Sequence, residues 1–171
     1  MRITILLLTA LLTANATAET RHAEAHVHGI NHVQIILNGS TLQVTYEFPV
    51  AQLNEHKHDE HKHDELAEQL KEITSIATLV AIPDSAKCRQ TRIEHDLRAV
   101  ASTGSDDGHT NHQDAILETV LECQNPSALN SVDFSPAFSR FEDVEKILVE
   151  GMLGSQSLSD TVTAKKAVMS F

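Results

Sequence analysis

The chain has 171 residues, with 13 Lys and Arg against 24 Asp and Glu, and a formal net charge of −11 with its histidines neutral. A surface that acidic repels nucleic acid and anionic membranes and attracts cations. Eleven histidines and only two cysteines turn attention to metal ions within that last class.

The first element sets the compartment. Met1 and Arg2 begin the chain, residues 3–12 are almost wholly apolar, and Ala16-Thr17-Ala18 is a small-x-small site for signal peptidase. This pattern predicts a secretory signal peptide over residues 1–18, too short to span a membrane, for which about 18 or more apolar residues are needed. No cysteine lies near the cleavage site to carry a lipid. The mature chain, residues 19–171, is expected to be one soluble domain without membrane insertion, and loss of Arg2 takes its charge from −11 to −12.

Residues 32–48 read as a hairpin, with Val33, Ile35 and Leu37 on one face, Leu42, Val44, Tyr46 and Phe48 on one face of the returning strand, and Asn38-Gly39 at the turn. The tract "EHKHDEHKHDE" over residues 55–65 follows as a flexible His-rich loop. Beyond it, Leu66, Leu70, Ile73, Ala77 and Val80 recur at helical spacing, with Asp64 as N-cap and Pro83 past the end, and predict an amphipathic helix. Thr91, Ile93, Leu97 and Ala99 share a face of one strand and Ala115, Leu117, Leu121 and Cys123 a face of another, with a polar loop over 102–114 between them. Antiparallel pairing about that loop sets Cys88 opposite Cys123. In an exported protein two cysteines so placed are expected to form a disulfide, stapling the open end of a long hairpin. Asn125-Pro126 predicts a short helix, and residues 144–150 and 159–171 predict strands. The expected fold class is α+β, with antiparallel sheet built against one or two helices. The segments "VTYEFPVAQLN" and "ILETVLECQNPSALN" suggest a duplicated ββα unit.

All the histidines lie at or before His112. His22, His26, His28 and His32 flank the first strand, His56, His58, His61 and His63 make the tract, His109 and His112 lie in the long loop, and His95 stands alone. Neutral imidazole is a ligand for zinc, copper, nickel and cobalt, and clustering favours chelation. An extended chain puts His56 and His58 on one side, and likewise His61 and His63, whereas a helix would align only His58 with His61. The tract therefore chelates best as a loop, with low specificity among divalent transition metals; the competing reading is a solvated polar insert. His26 and His28 fall on one side if extended, and Gly29 permits a bend that would bring His32 towards them. For His109 and His112 the spacing alone leaves ligand and plain loop residue equally open. His95 shares an apolar face with Ile93 and Leu97, so a hydrogen-bonded core histidine stands beside the ligand reading.

In "HAEAHVHGINHVQIILNGSTLQVTYEFPVAQLN" a His-x-His-Gly entry, an amphipathic strand with a Gly turn, and a strand running to an Asn before a His-rich segment occur in that order. The arrangement resembles the ZrgA family of periplasmic, zinc-regulated proteins associated with zinc uptake in Gram-negative bacteria. A second His-bearing loop and the histidine eleven positions before a cysteine, His112 and Cys123, extend the resemblance over most of the mature chain. It implies a periplasmic location, zinc as the metal in preference to copper or nickel, His26, His28 and His112 as ordered ligands, and the tract as a metal-collecting loop that serves a membrane zinc transporter. The chain departs from the pattern in its duplicated first tract and its sparse second loop.

The principal alternative is an enzyme: "HVHG" in an exported protein with one disulfide is similar to a copper/zinc superoxide dismutase. That enzyme needs ligands well downstream and a Gly-rich barrel, yet the chain has six glycines and no histidine after His112. No His-Glu-x-x-His or Gly-x-Ser-x-Gly motif occurs, and cleavage before Glu19 would leave no N-terminal histidine for a copper brace. The expectation is a non-enzymatic zinc-binding accessory of metal uptake. Its ordered site would draw on the first-strand histidines with His112 and His95, and a metal-buffering, detoxifying envelope protein is the further alternative.

Overall fold

A computed structural model of the protein describes residues 29–53, 70–99 and 113–171. The expected signal peptide, the tract over 55–65 and the greater part of the loop over 102–114 lie outside these residues, as do His22, His26, His28, His109 and His112. Eight strands run in the order β1 (Ile30–Asn38), β2 (Thr41–Pro49), β3 (Cys88–Ala99), β4 (Gln113–Cys123), β5 (Ser131–Asp133), β6 (Lys146–Leu153), β7 (Gln156–Val162) and β8 (Val168–Ser170). The described residues hold one complete α-helix, α1 (Ser135–Arg140), and it is short. No helix among them is long and apolar enough to cross a membrane.

Six strands form one sheet in the order β3-β4-β2-β1-β6-β7, and β5 pairs with β8 in a second, two-stranded sheet. The first hairpin closes in the expected register, Leu37 opposite Leu42 and Asn38 opposite Thr41, with Gly39 at a φ of 61° that the tight turn requires. Neighbouring strands are antiparallel except β1 and β6, which run parallel with Ile35 opposite Gly151. A Cβ on Gly151 would overlap the Ile35 carbonyl oxygen, so only glycine lets the two strands approach there.

Alternation puts Val33, Ile35, Leu42, Val44, Tyr46, Phe48, Leu117, Ile147 and Val149 on one face, all of them buried. That face joins a single core with Leu70, Ile73, Ile76, Leu79, Phe134 and Phe141 from the covering layer. Phe48 bridges the two, with its ring centroid 4.9 Å from that of Phe141 and 5.9 Å from that of Tyr46.

The α+β expectation is overturned: the protein is mostly β, and its main sheet is mixed rather than antiparallel. The helix expected over Leu66 to Val80 is helical, within the described residues, only at Leu70 and Lys71, after which the chain makes a single 3-10 turn at Ile76–Thr78. Buried residues recur there every third position, Leu70, Ile73, Ile76 and Leu79, while Ala77 is exposed. Local side chains explain the break. Ser75 is extended and accepts a hydrogen bond from Ala77 N, and Thr78 Oγ1 donates to Ser75 O, both in competition with helix bonds. Side chains of β3 replace what a helix would supply: Ile76 N donates to Gln90 Oε1 at 2.9 Å and Gln90 Nε2 donates to Thr74 O at 2.8 Å.

The duplicated ββα unit loses its helices in the same way. β2 runs into a 3-10 turn at Val50–Leu53, and β4 is followed by another at Pro126–Ala128 where a short helix was expected. The last expected strand is two, β7 and β8, parted by a turn in which Thr163 and Lys166 exchange backbone bonds. Among the described residues β3 and β7 are the edge strands of the main sheet. The pairing of β3 with β4 does follow expectation: Cys88 lies opposite Cys123, and the two are joined by a disulfide.

Candidate metal centre

Strand directions place several chain ends on one rim of the main sheet. Ile30 pairs with Lys146, Pro49 with Asp114, and Arg98 with the same Asp114, so the start of β1, the end of β2, the end of β3 and the start of β4 lie side by side. At this rim the described chain joins residues 1–28, 54–69 and 100–112. Those three stretches carry all the histidines except His32 and His95.

The two described histidines do not meet. In register, His32 lies opposite Glu47, Glu47 opposite Ile116, and Ile116 opposite Asp96, whereas His95 lies opposite Leu117. Adjacent positions of a strand face opposite ways, so His32 and His95 occupy opposite faces of the sheet and cannot share an ion. The other expected ligands, His26, His28 and His112, lie outside the described residues. His95 sits half-buried on the core face, and its Nε2 donates to Ile73 O at 2.8 Å. That bond satisfies a carbonyl left over by the broken helix, so His95 works as part of the framework. Among the described residues no group of three or more His, Cys, Asp or Glu is gathered closely enough to hold a metal ion.

The rim has polar machinery that the sequence reading missed. Asn31 is fully buried where β1 begins; its Nδ2 donates to Tyr46 Oη and its Oδ1 accepts from Gln52 Nε2, each at 2.9 Å. Burial pushes the Tyr46 hydroxyl well above the usual phenol range, with the Asn31 bond pulling the other way. Gln52 is 7% exposed, and its Oε1 has no hydrogen-bond partner among the described residues. It lines a pocket of about 300 Å³ together with Gly29, Pro49, Ala51, Asp143 and Glu145. Gly29, at a φ of 84°, shapes the floor: a Cβ there would lie 2.9 Å from both Asp143 O and Glu145 Cγ. Its carbonyl accepts from Glu145 N and Lys146 N, which ties the pocket's acidic wall to the start of β1.

Spacing gave no hint of this group, since its members are far apart in sequence. The one available signal was a polar residue where strand alternation calls for an apolar one, at Asn31. Residues 25–171 match the family model described as ZrgA family zinc uptake protein. Comparison with curated proteins returns no match.

Proposed function

Because the chain belongs to the ZrgA family of zinc uptake proteins, we propose that it is a periplasmic zinc-binding protein that captures zinc and assists its import. Residues 19–171 act as one metal-binding domain, and a membrane zinc transporter is the natural recipient of the ion. The convergence of the three histidine-bearing stretches on one rim carries this reading. The strand order sets the described chain ends that flank these stretches side by side, which supports a shared ion, and the net negative charge attracts cations. Neutral imidazoles from His26, His28 and His112, with His32 at the same end of β1, would supply nitrogen ligands for an ordered zinc site. His56, His58, His61 and His63, with His109, would collect ions for it. Transfer follows mass action and needs no covalent chemistry, and other divalent transition metals compete for the same nitrogens.

Zinc titration of the purified chain by calorimetry tests the reading. Deleting residues 55–65 is expected to reduce the number of bound ions and leave the tightest site nearly intact, because ordering a flexible loop weakens its binding. Replacing His26, His28 and His112 together is expected to remove the tightest site and spare the rest. Absence of micromolar zinc binding by the intact chain would end the proposal.

A further inference from the structure

The rim at which β1 starts and β2 ends also carries a histidine and a carboxylate directly opposed. His32 pairs with Glu47 in the register of the two strands. The residues on either side of each, Asn31 and Val33, Tyr46 and Phe48, are buried on the core face, so alternation turns His32 and Glu47 together onto the other face of the sheet. Side chains so opposed have Cβ atoms about 4.5–5.5 Å apart, close enough for an imidazole nitrogen and a carboxylate oxygen to meet at one ion.

Two further observations set this pair apart from the other carboxylates of that face. The cross-strand row continues as Ile116 beyond Glu47 and Leu148 beyond His32, so an aliphatic side chain stands on each side. Ile116 is 2% exposed although it lies outside the core cluster. Glu118, two residues further along β4, instead faces Thr45 and Glu94 and is exposed. Aliphatic flanks lower the local dielectric and strengthen the attraction between a carboxylate and a cation. Beneath the pair, Asn31 Nδ2 donates to Tyr46 Oη at 2.9 Å, and these two residues adjoin His32 and Glu47 in sequence. That buried bond fixes the strands against each other where the pair sits, so little order has to be gained on binding.

We propose that Glu47 is a ligand of the ordered zinc site and binds the same ion as His32. The inference rests on the zinc reading above and adds an oxygen donor to its imidazoles. A tetrahedral zinc ion accepts nitrogen at about 2.0–2.1 Å and carboxylate oxygen at about 2.0–2.2 Å, and the cross-strand pair occupies two of its four positions. The carboxylate offsets one of the ion's two positive charges, which neutral imidazoles leave untouched. It also sets selectivity: monovalent copper prefers soft sulfur ligands, so a carboxylate disfavours it against zinc.

The test is a zinc titration of the purified, metal-free chain against a chromophoric competing chelator, with cobalt(II) absorption recorded in parallel. Loss of an outer-shell partner alone weakens a metal site by about 10–100-fold, so Glu47→Gln is expected to weaken the tightest zinc site at least about tenfold. Glu118→Gln removes the same charge from the same face and is expected to leave that affinity within about twofold. His32→Gln should match Glu47→Gln, and the double variant should lose far less than the product of the two single losses, as two donors to one ion require. The visible cobalt bands should shift in Glu47→Gln and not in Glu118→Gln, a signature that a change in fold stability alone does not produce. Circular dichroism confirms the fold of each variant, and Glu47→Thr, which suits a strand, replaces Glu47→Gln if the latter does not fold. A tight site as strong in the Glu47 variant as in Glu118→Gln, unshifted cobalt bands, or multiplicative losses in the double variant overturns the inference and leaves the zinc reading standing. A parent chain without micromolar zinc binding refutes the zinc reading and this inference with it.

Discussion

The two ends of the six-stranded sheet are built on opposite plans. At one end every connection is closed. Gly39 and Gly154, each at a φ of 61°, turn the chain within two residues, Cys123 N donates to Ser40 O at 2.8 Å, Gly154 N donates to Leu37 O at 2.9 Å, and the Cys88–Cys123 disulfide locks β3 to β4. At the other end the described strands stop where residues 1–28, 54–69 and 100–112 join them, and a carboxylate-lined pocket lies there beside Gly29. The closures that fix the strands lie at the first end, and under the proposed function recognition belongs to the second. A sheet can carry long polar segments from one rim because the opposite rim fixes the register of the strands.

Breaking the closed end should have the largest effect. The disulfide closes a loop of sequence separation 35, for which the chain-entropy model gives about 4 kcal/mol. Cys88→Ser is therefore expected to lower the melting temperature by on the order of 10 °C while leaving zinc stoichiometry unchanged. Calorimetric melting and zinc titration of the same sample would contradict the division of labour if stoichiometry fell with stability.

His95 sharpens the comparison because it is a histidine that belongs to the framework. His95→Leu leaves the Ile73 carbonyl without its donor and is expected to cost about 1–2 kcal/mol by urea unfolding. The number of bound zinc ions should not change; a loss of one ion would make His95 a ligand after all.

At the open end the expected signature is a pH dependence of binding rather than of folding. Imidazoles must be neutral to bind zinc, and their ordinary pKa is about 6.5, so protons compete with the metal as the medium acidifies. The acidic neighbours of the 55–65 tract favour protonated rings, so its ions should leave first, across roughly pH 7 to 5.5. Equilibrium dialysis of the parent and the 55–65 deletion against pH would show an additional early step in the parent alone. Coincident curves would reduce the tract to a solvated charge run.

The smallest effect belongs to Asp160 on edge strand β7. The Thr161 backbone N–H, and then Lys166 Nζ at 3.2 Å, hold its carboxyl below the usual range. A depressed folded-state pKa contributes stability above the unfolded value that is lost as pH falls through the folded one. Asp160 lies at the surface with its side chain 36% exposed, so Asp160→Asn should lower stability only marginally above pH about 4, a difference that vanishes as pH falls below that. A clear shift of the unfolding midpoint at neutral pH would show that the Asp160–Lys166 contact contributes more than a surface pair.

The hairpins were legible because a period of two leaves little choice: Val33, Ile35, Leu42, Val44, Tyr46 and Phe48 had to share a face, and the Cys88–Cys123 pairing followed from the same alternation. The segment from Leu70 to Val80 misled because spacings of three and of 3.6 residues coincide over two turns, and Ser75, Thr78, Gln90 and His95 decide between them through bonds that no local pattern announces. Sequence by itself set the expectation of metal binding, since eleven imidazoles on an acidic chain offer one ligand class wherever they lie. Only the tertiary structure decided that β6 runs parallel beside β1, that His95 serves the core, and that Gln52, Asp143 and Glu145 line one pocket. The physical reason is that strand order is set by the packing of faces across the whole sheet, so residues more than 90 positions apart become neighbours without leaving a mark in local spacing.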